Sequence, residues 1–397
     1  MRVRTTGAAA GGPAVRRLAA GLLLSRTGDQ LTTIALVWFV LDLTGSGVAV
    51  GLVLLCAGLP PVVTGPLLDR WPLRRVMVAD NLARATLVGA IPTLHWLGRL
   101  DMPLVCGLSV AAGALVPATD VGVRVALPRL VEEADLERAN LLLSVGDQVS
   151  ALAGPALGGL LVGLVGAPPV LLADAASFLA MAALVGPLPD AAGPAVPPPA
   201  TGPATRAPLA DPTVRTVLGL TLVYFLAYGP LEPALPLYSR DVLQAGAGGY
   251  GLLWSAFGAG ALAGLATVPA VGRLRPGLAL AGNAVAWGAA LLPLLAIAGI
   301  VPAMATLALG GLVWAPYVTL ESSLLQRVVP APALGRVFGV RRALTAAAMP
   351  LGAAAGGLLL QRAAPTAVIG LSAVTCMLAG AAALCSPALH RLPARRA

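Results

Sequence analysis

Ionisable side chains interrupt several long apolar stretches of this 397-residue chain. Arg26 and Asp29 share the first of them, and their spacing of three residues places both on one face of a helix. The acidic residues of the later stretches are Asp147, Asp174, Glu232 and Glu321. A charge within hydrocarbon is costly and persists where it is paired or used. These side chains are therefore candidates for proton or ligand binding, with a purely structural ion pair between helices as the alternative.

The depth of each acid along its stretch separates these candidates. Asp29 lies about 17 Å past the start of its stretch, near the middle of a core of roughly 30 Å. We expect Asp147 and Glu321 nearer the cytoplasmic side and Glu232 nearer the outside. Glu232 also stands in a Gly-Pro-Leu-Glu-Pro-Ala-Leu-Pro run, whose prolines interrupt the helical hydrogen bonds. Asp29 with Arg26, followed by Glu232, Asp147 and Glu321, are the predicted proton-coupling or cavity residues.

The elements that position these residues follow from the composition. Hydrophobic residues make up 58% of the chain and charged residues 11%. So little charge cannot cover a water-facing surface, so lipid must solvate the chain. We predict an all-α membrane protein with twelve transmembrane helices in two pseudo-symmetric six-helix bundles. The predicted spans lie near 18–41, 47–68, 76–97, 103–123, 140–165, 168–188, 213–238, 249–269, 277–298, 301–325, 337–361 and 364–386.

Two halves of the chain resemble each other at a nearly constant offset. Gly158-Gly159-Leu160 recurs as Gly356-Gly357-Leu358, and Arg129 recurs as Arg327. Such spacing indicates a duplicated six-helix unit. We predict an N-terminal bundle over 1–188, a cytoplasmic Pro/Ala-rich linker over 189–212 and a C-terminal bundle over 213–397.

The arginines predict the orientation. They concentrate in alternate loops and at both termini, whereas the opposite loops contain only Arg99, Arg240 and Arg362. Cytoplasmic loops are enriched in basic residues. We therefore expect a multi-pass protein of the inner (plasma) membrane with both termini in the cytoplasm.

Several classes of function are excluded by what the chain lacks. It contains no lysine, so it has neither a Walker-type phosphate loop nor a lysine Schiff base. The basic residues form no stripe beside stacking aromatics, which argues against nucleic acid as a partner. Its four cysteines lie in apolar runs, and its two histidines are far apart. We predict a protein that is not an enzyme and uses neither a metal nor a cofactor.

The loop after the second predicted span carries a recognisable pattern. Gly65, Leu67, Asp69, Arg70 and Arg74 fit the G-x-L-x-D-R-x-G-R-[RK] signature of the major facilitator superfamily, which the loop resembles. In that family the loop acts as a conformational switch. The resemblance implies this role for Gly65, Asp69, Arg70 and Arg74.

A second motif lies in the fifth predicted span. Gly154, Pro155, Gly158 and Gly159 form a G-P-x-x-G-G pattern, which resembles the core of the superfamily's antiporter motif. Small residues allow helices to approach closely and proline allows bending. The pattern is equally compatible with a plain helix-packing patch.

The resemblance extends over nearly the whole chain and is strongest to the enterobactin-exporter and macrolide-efflux-like branch. It is carried by the segments 25–30, 127–131 and 248–253. It implies a secondary active transporter working by alternating access, with proton-coupled efflux of a small amphipathic molecule such as a drug, siderophore or secondary metabolite. The implied partners are that small molecule, a proton or other coupling ion and the lipid bilayer, for a monomeric protein. An uptake symporter, a lipid flippase and a non-transporting membrane sensor or partner subunit remain alternatives.

Overall fold

The computed structural model describes residues 12–60, 73–131, 135–188, 207–271 and 273–390. Within these ranges the regular structure is helical and contains no strand. The main helices are α1 (Pro13–Thr44), α2 (Gly47–Gly58), α3 (Leu73–Trp96), α4 (Met102–Leu130), α5 (Leu136–Val165), α6 (Ala167–Val185), α7 (Pro212–Tyr228), α8 (Leu231–Leu237), α9 (Gly246–Leu265), α10 (Pro276–Leu291), α11 (Ile300–Val328), α12 (Ala331–Leu359) and α13 (Pro365–Leu384).

Eight helical segments of the described ranges are long and apolar enough to cross a membrane. Helices α1 and α3 have the length but carry several charges, and α9 is rich in glycine. Helix α2 is short within the described residues, and its predicted span continues beyond residue 60. These four helices stand at the remaining predicted positions, so the all-α membrane fold expected from the sequence is confirmed.

The chain divides into two compact units. The first contains residues 1–39 and 59–196, and the second contains 40–58 and 197–397. In the first unit, α3 packs on α4 and α6. Buried apolar side chains from α1, α3, α4, α5 and α6 form one cluster in this unit, among them Leu18, Met77 and Met181. The same five helices also carry the polar contacts that link Asp29, Arg84, Asp147, Asp174 and Asp80 to their partners.

In the second unit, α2 and α7 pack on α12, α9 packs on α11, and α10 packs on α11 and α13. Backbone contact replaces side-chain contact where α9 meets α11. A methyl group on Gly260 would collide with the carbonyl oxygen of Ala308, and one on Gly311 with that of Phe257. Small residues at such crossings let the helices approach closely without a hydrophobic driving force.

The helical hydrogen-bond pattern is interrupted between α7 and α8, although Gly229 and Pro230 keep helical backbone angles and residues Pro212–Val242 form one segment of spanning length. Helix α7 begins at a cap in which the Asp211 carboxylate accepts hydrogen bonds from the amides of Thr213 and Val214, and it ends at Tyr228. Gly229 and Pro230 separate it from α8. A methyl group on Gly229 would collide with the carbonyl oxygen of Met349, so α12 packs closely against this interruption. The interruption predicted from the proline-rich run is present.

Candidate functional site

Asp29 stands at the centre of a charged network in the first unit. It forms the ion pair with Arg26 that the spacing predicts, with the Arg26 Nη1 and Asp29 Oδ2 atoms 3.8 Å apart. Its other carboxylate oxygen forms a short ion pair and hydrogen bond with Nη2 of Arg84 on α3. One carboxylate on α1 is therefore shared by two guanidinium groups from two helices.

Arg84 is the most buried charge of this network. Its side chain is 9% exposed, compared with 26% for Asp29. The guanidinium carbon lies 4.0 Å from the ring centre of Phe178 on α6, a cation–π contact. Arg84 had not been singled out as a site residue, although a cation inside an apolar span is itself a signal.

Arg26 connects Asp29 to a second acid. Its Nε atom lies 3.5 Å from Oδ1 of Asp147 on α5, whose side chain is 52% exposed. Asp147 is thus the most accessible acid of the network, and Asp29 stands between it and the buried Arg84. The structure brings together three of the five predicted charged residues, namely Arg26, Asp29 and Asp147.

Asp174 on α6 is fully buried behind this network. Its carboxylate accepts hydrogen bonds from the hydroxyl groups of Thr32 at 2.5 Å and Ser177 at 2.9 Å. It also interacts electrostatically with Asp29 and Arg84. Gly28 faces this carboxylate so closely that any side chain there would collide with it. Asp174 is therefore a second acid close to Asp29 and Arg84.

Asp80 is a further buried acid of α3 that the sequence reasoning missed. One of its carboxylate oxygens accepts a short hydrogen bond from the Thr119 hydroxyl on α4, while the other has no hydrogen-bond partner. Asn81 donates to the same hydroxyl at 2.9 Å. Asp80 also interacts electrostatically with Arg84. The four-residue spacing of Asp80 and Arg84 was the signal available in the sequence.

The Gly-Pro motif of α5 packs against α1. A methyl group on Gly154 would collide with the Gln30 side chain, and one on Gly158 would lie 3.1 Å from Cβ of Ile34. One turn before the motif, the hydroxyl groups of Ser150 and Thr27 are 3.0 Å apart. The motif thus holds α5 close to the helix that carries Arg26 and Asp29. Pro155 and Gly159, the other two residues of the motif, are also buried.

Glu321 belongs to a separate buried group in the second unit. Its carboxylate is fully buried on α11, and one oxygen lies 2.7 Å from Nη2 of Arg341 on α12. The other oxygen accepts a hydrogen bond of 2.8 Å from Thr221 on α7. The Thr221 hydroxyl also lies 3.2 Å from that of Tyr317. The carboxylate therefore joins three helices through an ion pair and a hydrogen bond.

Glu232 is the second residue of the short helix α8 and is 8% exposed. No basic side chain of the described ranges forms an ion pair with it, in contrast to Asp29, Asp147 and Glu321. It is close enough to Tyr228 and Tyr250 to interact electrostatically with both.

The conformational-switch motif falls largely outside the described residues, which do not include Gly65, Asp69 and Arg70. Arg74 is described, and its guanidinium donates a hydrogen bond of 2.9 Å to the carbonyl oxygen of Gly186, just beyond α6. Within the described ranges, no cluster of three or more His, Cys, Asp or Glu residues has a geometry suited to a metal ion.

Comparison with known sequences identifies relatives over almost the whole chain. The family model described as a transmembrane secretion effector, one of the major facilitator superfamily, matches residues 12–396. An uncharacterized MFS-type transporter, y4rN of Sinorhizobium fredii, is 28% identical over 94% of this chain and 95% of its own length. The multidrug efflux pump Tap of Mycobacterium tuberculosis is 28% identical over 93% of this chain and 92% of its own length.

Solved structures share the fold. A bacterial homologue of the iron transporter ferroportin, in an inward-facing state, superposes with a TM-score of 0.76 at 19% identity, covering 94% of this chain and 98% of its own. The nucleoside transporter NupG superposes with a TM-score of 0.75 at 13% identity, covering 96% of this chain and all of its own.

The family match spans nearly every described helix, and these relatives and solved structures are all transporters. This confirms the resemblance to the major facilitator superfamily and implies a small-molecule substrate. The chain therefore belongs to the major facilitator superfamily of membrane transporters, in its transmembrane secretion effector family.

Proposed function

We propose that this transporter exports small amphipathic molecules in exchange for protons, and that Asp29 gains and loses the coupling proton. The observation that carries the proposal is the position of Asp29 between two guanidinium groups. Ionised Asp29 is the counter-ion of both Arg26 and Arg84, at 3.8 Å and in a short contact respectively. The ionisation of Asp29 therefore determines whether the ion pair between α1 and α3 forms.

A proton on Asp29 removes this shared counter-ion. Arg84, whose side chain is 9% exposed, then needs another acceptor within the first unit. Asp174 and Asp80 already interact with it electrostatically. Arg26 keeps Asp147 as its partner at 3.5 Å. Proton binding thus favours a different set of interhelical ion pairs, which is the kind of two-state element that alternating access requires.

Two observations support export. The Tap relatives, matched over most of their length, are multidrug efflux pumps. The Gly154 and Gly158 contacts place the antiporter-like motif directly against the helix that carries Asp29. A proton site and a helix contact that must adjust during transport therefore share one pair of helices.

The arrangement of the arginines supports residence in the inner membrane, with both termini and the 189–212 linker in the cytoplasm. We assign Asp147 as the accessible acid that retains Arg26. We assign Glu321 a structural role, since it is fully buried in its pairing with Arg341. We propose on the sequence pattern alone that the loop motif acts as a conformational switch through Gly65, Asp69, Arg70 and Arg74. We also propose that the transporter acts as a monomer.

Directional transport tests this proposal. Inside-out vesicles from an efflux-deficient host, with and without the protein, are given an acidic interior and then ethidium, Nile red or anilinonaphthalene sulfonate. Export coupled to proton entry in the cell predicts accumulation of at least one probe inside these vesicles, together with release of protons from their interior. The probe accumulation measured in control vesicles, which lack the protein, is subtracted from that measured in vesicles that contain it.

The alternatives give other results. An uptake symporter would drive the probe out of inside-out vesicles together with protons. A sensor or partner subunit would leave all three probes at the control level. Either result would contradict the proposed direction or the proposed activity.

A further inference from the structure

Glu232 presents a buried carboxylate that the charged network of the first unit does not use. Its exposure is 8%, and no basic residue of the described ranges pairs with it. Every residue of α8 from Leu231 to Leu237 is buried, so the carboxylate has little contact with bulk water. An ionised carboxylate in such surroundings needs a positive partner.

Aromatic rings surround the C-terminal end of α7, where Tyr228 is the last residue. The ring centre of Tyr228 lies 5.8 Å from that of Trp287, 6.2 Å from that of Trp254 and 6.4 Å from that of Trp314. Phe257 joins the group at 6.3 Å from Tyr228. These five rings, contributed by α7, α9, α10 and α11, are called the aromatic cluster below.

The aromatic cluster is connected to the carboxylate. Tyr228 lies one turn before Glu232 and interacts with it electrostatically. Tyr228 and Trp287 are buried, but Trp254 and Trp314 are partly exposed, so the cluster has an accessible edge. The indole N–H of Trp314 is buried and has no acceptor. The group therefore combines a carboxylate, accessible aromatic rings and an unused donor.

These properties match one class of ligand. The face of an aromatic ring attracts cations, most strongly that of tryptophan, and favours cations that are weakly hydrated. The Glu232 carboxyl group has no basic partner within the described ranges, so once ionised it supplies an uncompensated negative charge to a bound cation. An inorganic cation would need several oxygen ligands, which this mostly carbon surface does not provide.

We propose that Glu232 and the aromatic cluster form a binding site for a lipophilic organic cation, and that the transported molecules include this class. The inference rests on the proposed export function for the fate of the ligand, but the binding itself requires no gradient. In this arrangement Glu232 neutralises the cation, while Trp254 and Trp314 stack against its apolar surface.

Equilibrium binding of tetraphenylphosphonium to the purified full-length protein tests the site. Tetraphenylborate, which has nearly the same shape and the opposite charge, is the matched ligand. We expect the wild-type protein to bind the cation and not the anion. Glu232→Gln should weaken binding of the cation at least about tenfold, and Trp254→Ala should weaken it by about three- to tenfold.

Two control variants separate the site from general damage. Glu137→Gln makes the same chemical change on an exposed acid of α5 and should leave cation binding unchanged. Glu232→Asp keeps the charge and should retain most of the affinity. If Glu232→Gln fails to fold, Glu232→Asp and Trp254→Ala still measure the contributions of charge geometry and ring contact.

The proposal is overturned if the cation and the anion bind equally, or if Glu232→Gln folds and binds the cation like the wild type. It is also overturned if sodium displaces tetraphenylphosphonium competitively at physiological concentration. Gradient-driven export of Nile red without any cation binding would overturn this site while leaving the proposed export function intact. Cation binding that depends on Glu232, in a protein that shows no gradient-driven transport, would support this site and overturn the proposed export function.

Discussion

Removing Arg341 should destabilise the protein more than removing any exposed arginine of the same helix. Glu321 is 0% exposed, and Arg341, 17% exposed, is its ion-pair partner at 2.7 Å. Arg341→Met keeps a long apolar side chain but leaves the carboxylate with only the Thr221 hydroxyl as a partner. Breaking a buried pair by removing one member costs about 3–5 kcal/mol, because an uncompensated charge remains.

Removing the carboxylate instead should cost less. Glu321→Gln keeps a hydrogen-bond acceptor for Thr221, and the partly exposed Arg341 can turn towards water. We expect a loss of about 1–3 kcal/mol from this change. The double variant Glu321→Gln, Arg341→Met contains no stranded charge and should be more stable than the sum of the single losses predicts, by about 2 kcal/mol.

The assay is reversible unfolding in mixed micelles titrated with sodium dodecyl sulfate, followed by tryptophan fluorescence. Arg342→Met is the matched control, since Arg342 is the neighbouring, exposed arginine of α12. It should change the free energy of unfolding by less than about 0.5 kcal/mol. If Arg341→Met is as mild as Arg342→Met, or if the two Glu321 and Arg341 losses simply add, the assigned structural role is wrong.

Two further predictions follow from packing and charge. Gly154→Ala should destabilise the protein by about 1–3 kcal/mol in the same assay, because the added methyl group collides with Gln30. The control Gly146→Ala should be neutral or slightly stabilising, since the nearest neighbour of its added methyl group is Leu23 at 3.9 Å. Equal effects of the two variants would refute the packing argument. A reporter that fluoresces only in the cytoplasm should be bright when fused at residue 200 and at the C-terminus, and darkness at either position in expressed protein would refute the predicted orientation.

The fold could be predicted because it depends on composition and periodicity. The low charge content demanded lipid as solvent, and the proline-rich run before Glu232 indicated the break that separates α7 from α8. The Arg26 and Asp29 pair was also accessible, because residues three apart on a helix are neighbours whatever the tertiary structure.

The remaining contacts depend on which helices meet, and the sequence alone does not specify that. Arg84 reaches Asp29 across 55 positions of the chain, and Thr221 reaches Glu321 across 100. The pairing of Arg341 with Glu321 was not predicted, because the two residues are on different helices. Asp80 was missed because its span contains enough other charges to hide one buried acid.

The central claim is that the charge of Asp29 couples protons to substrate movement, and its most direct test compares two transport modes in one variant. Proteoliposomes containing Asp29→Asn are loaded with the probe that wild-type vesicles accumulate, and both exchange without a gradient and uptake driven by a pH gradient are measured. Asp101→Asn is the control, because Asp101 caps α4 outside the apolar stretches and Asn caps equally well. We predict that Asp29→Asn keeps exchange and loses gradient-driven accumulation, while Asp101→Asn keeps both. Gradient-driven accumulation at the wild-type level in Asp29→Asn, or its recovery in the Asp29→Asn, Arg26→Gln double variant, would show instead that Asp29 is only a structural partner of the arginines.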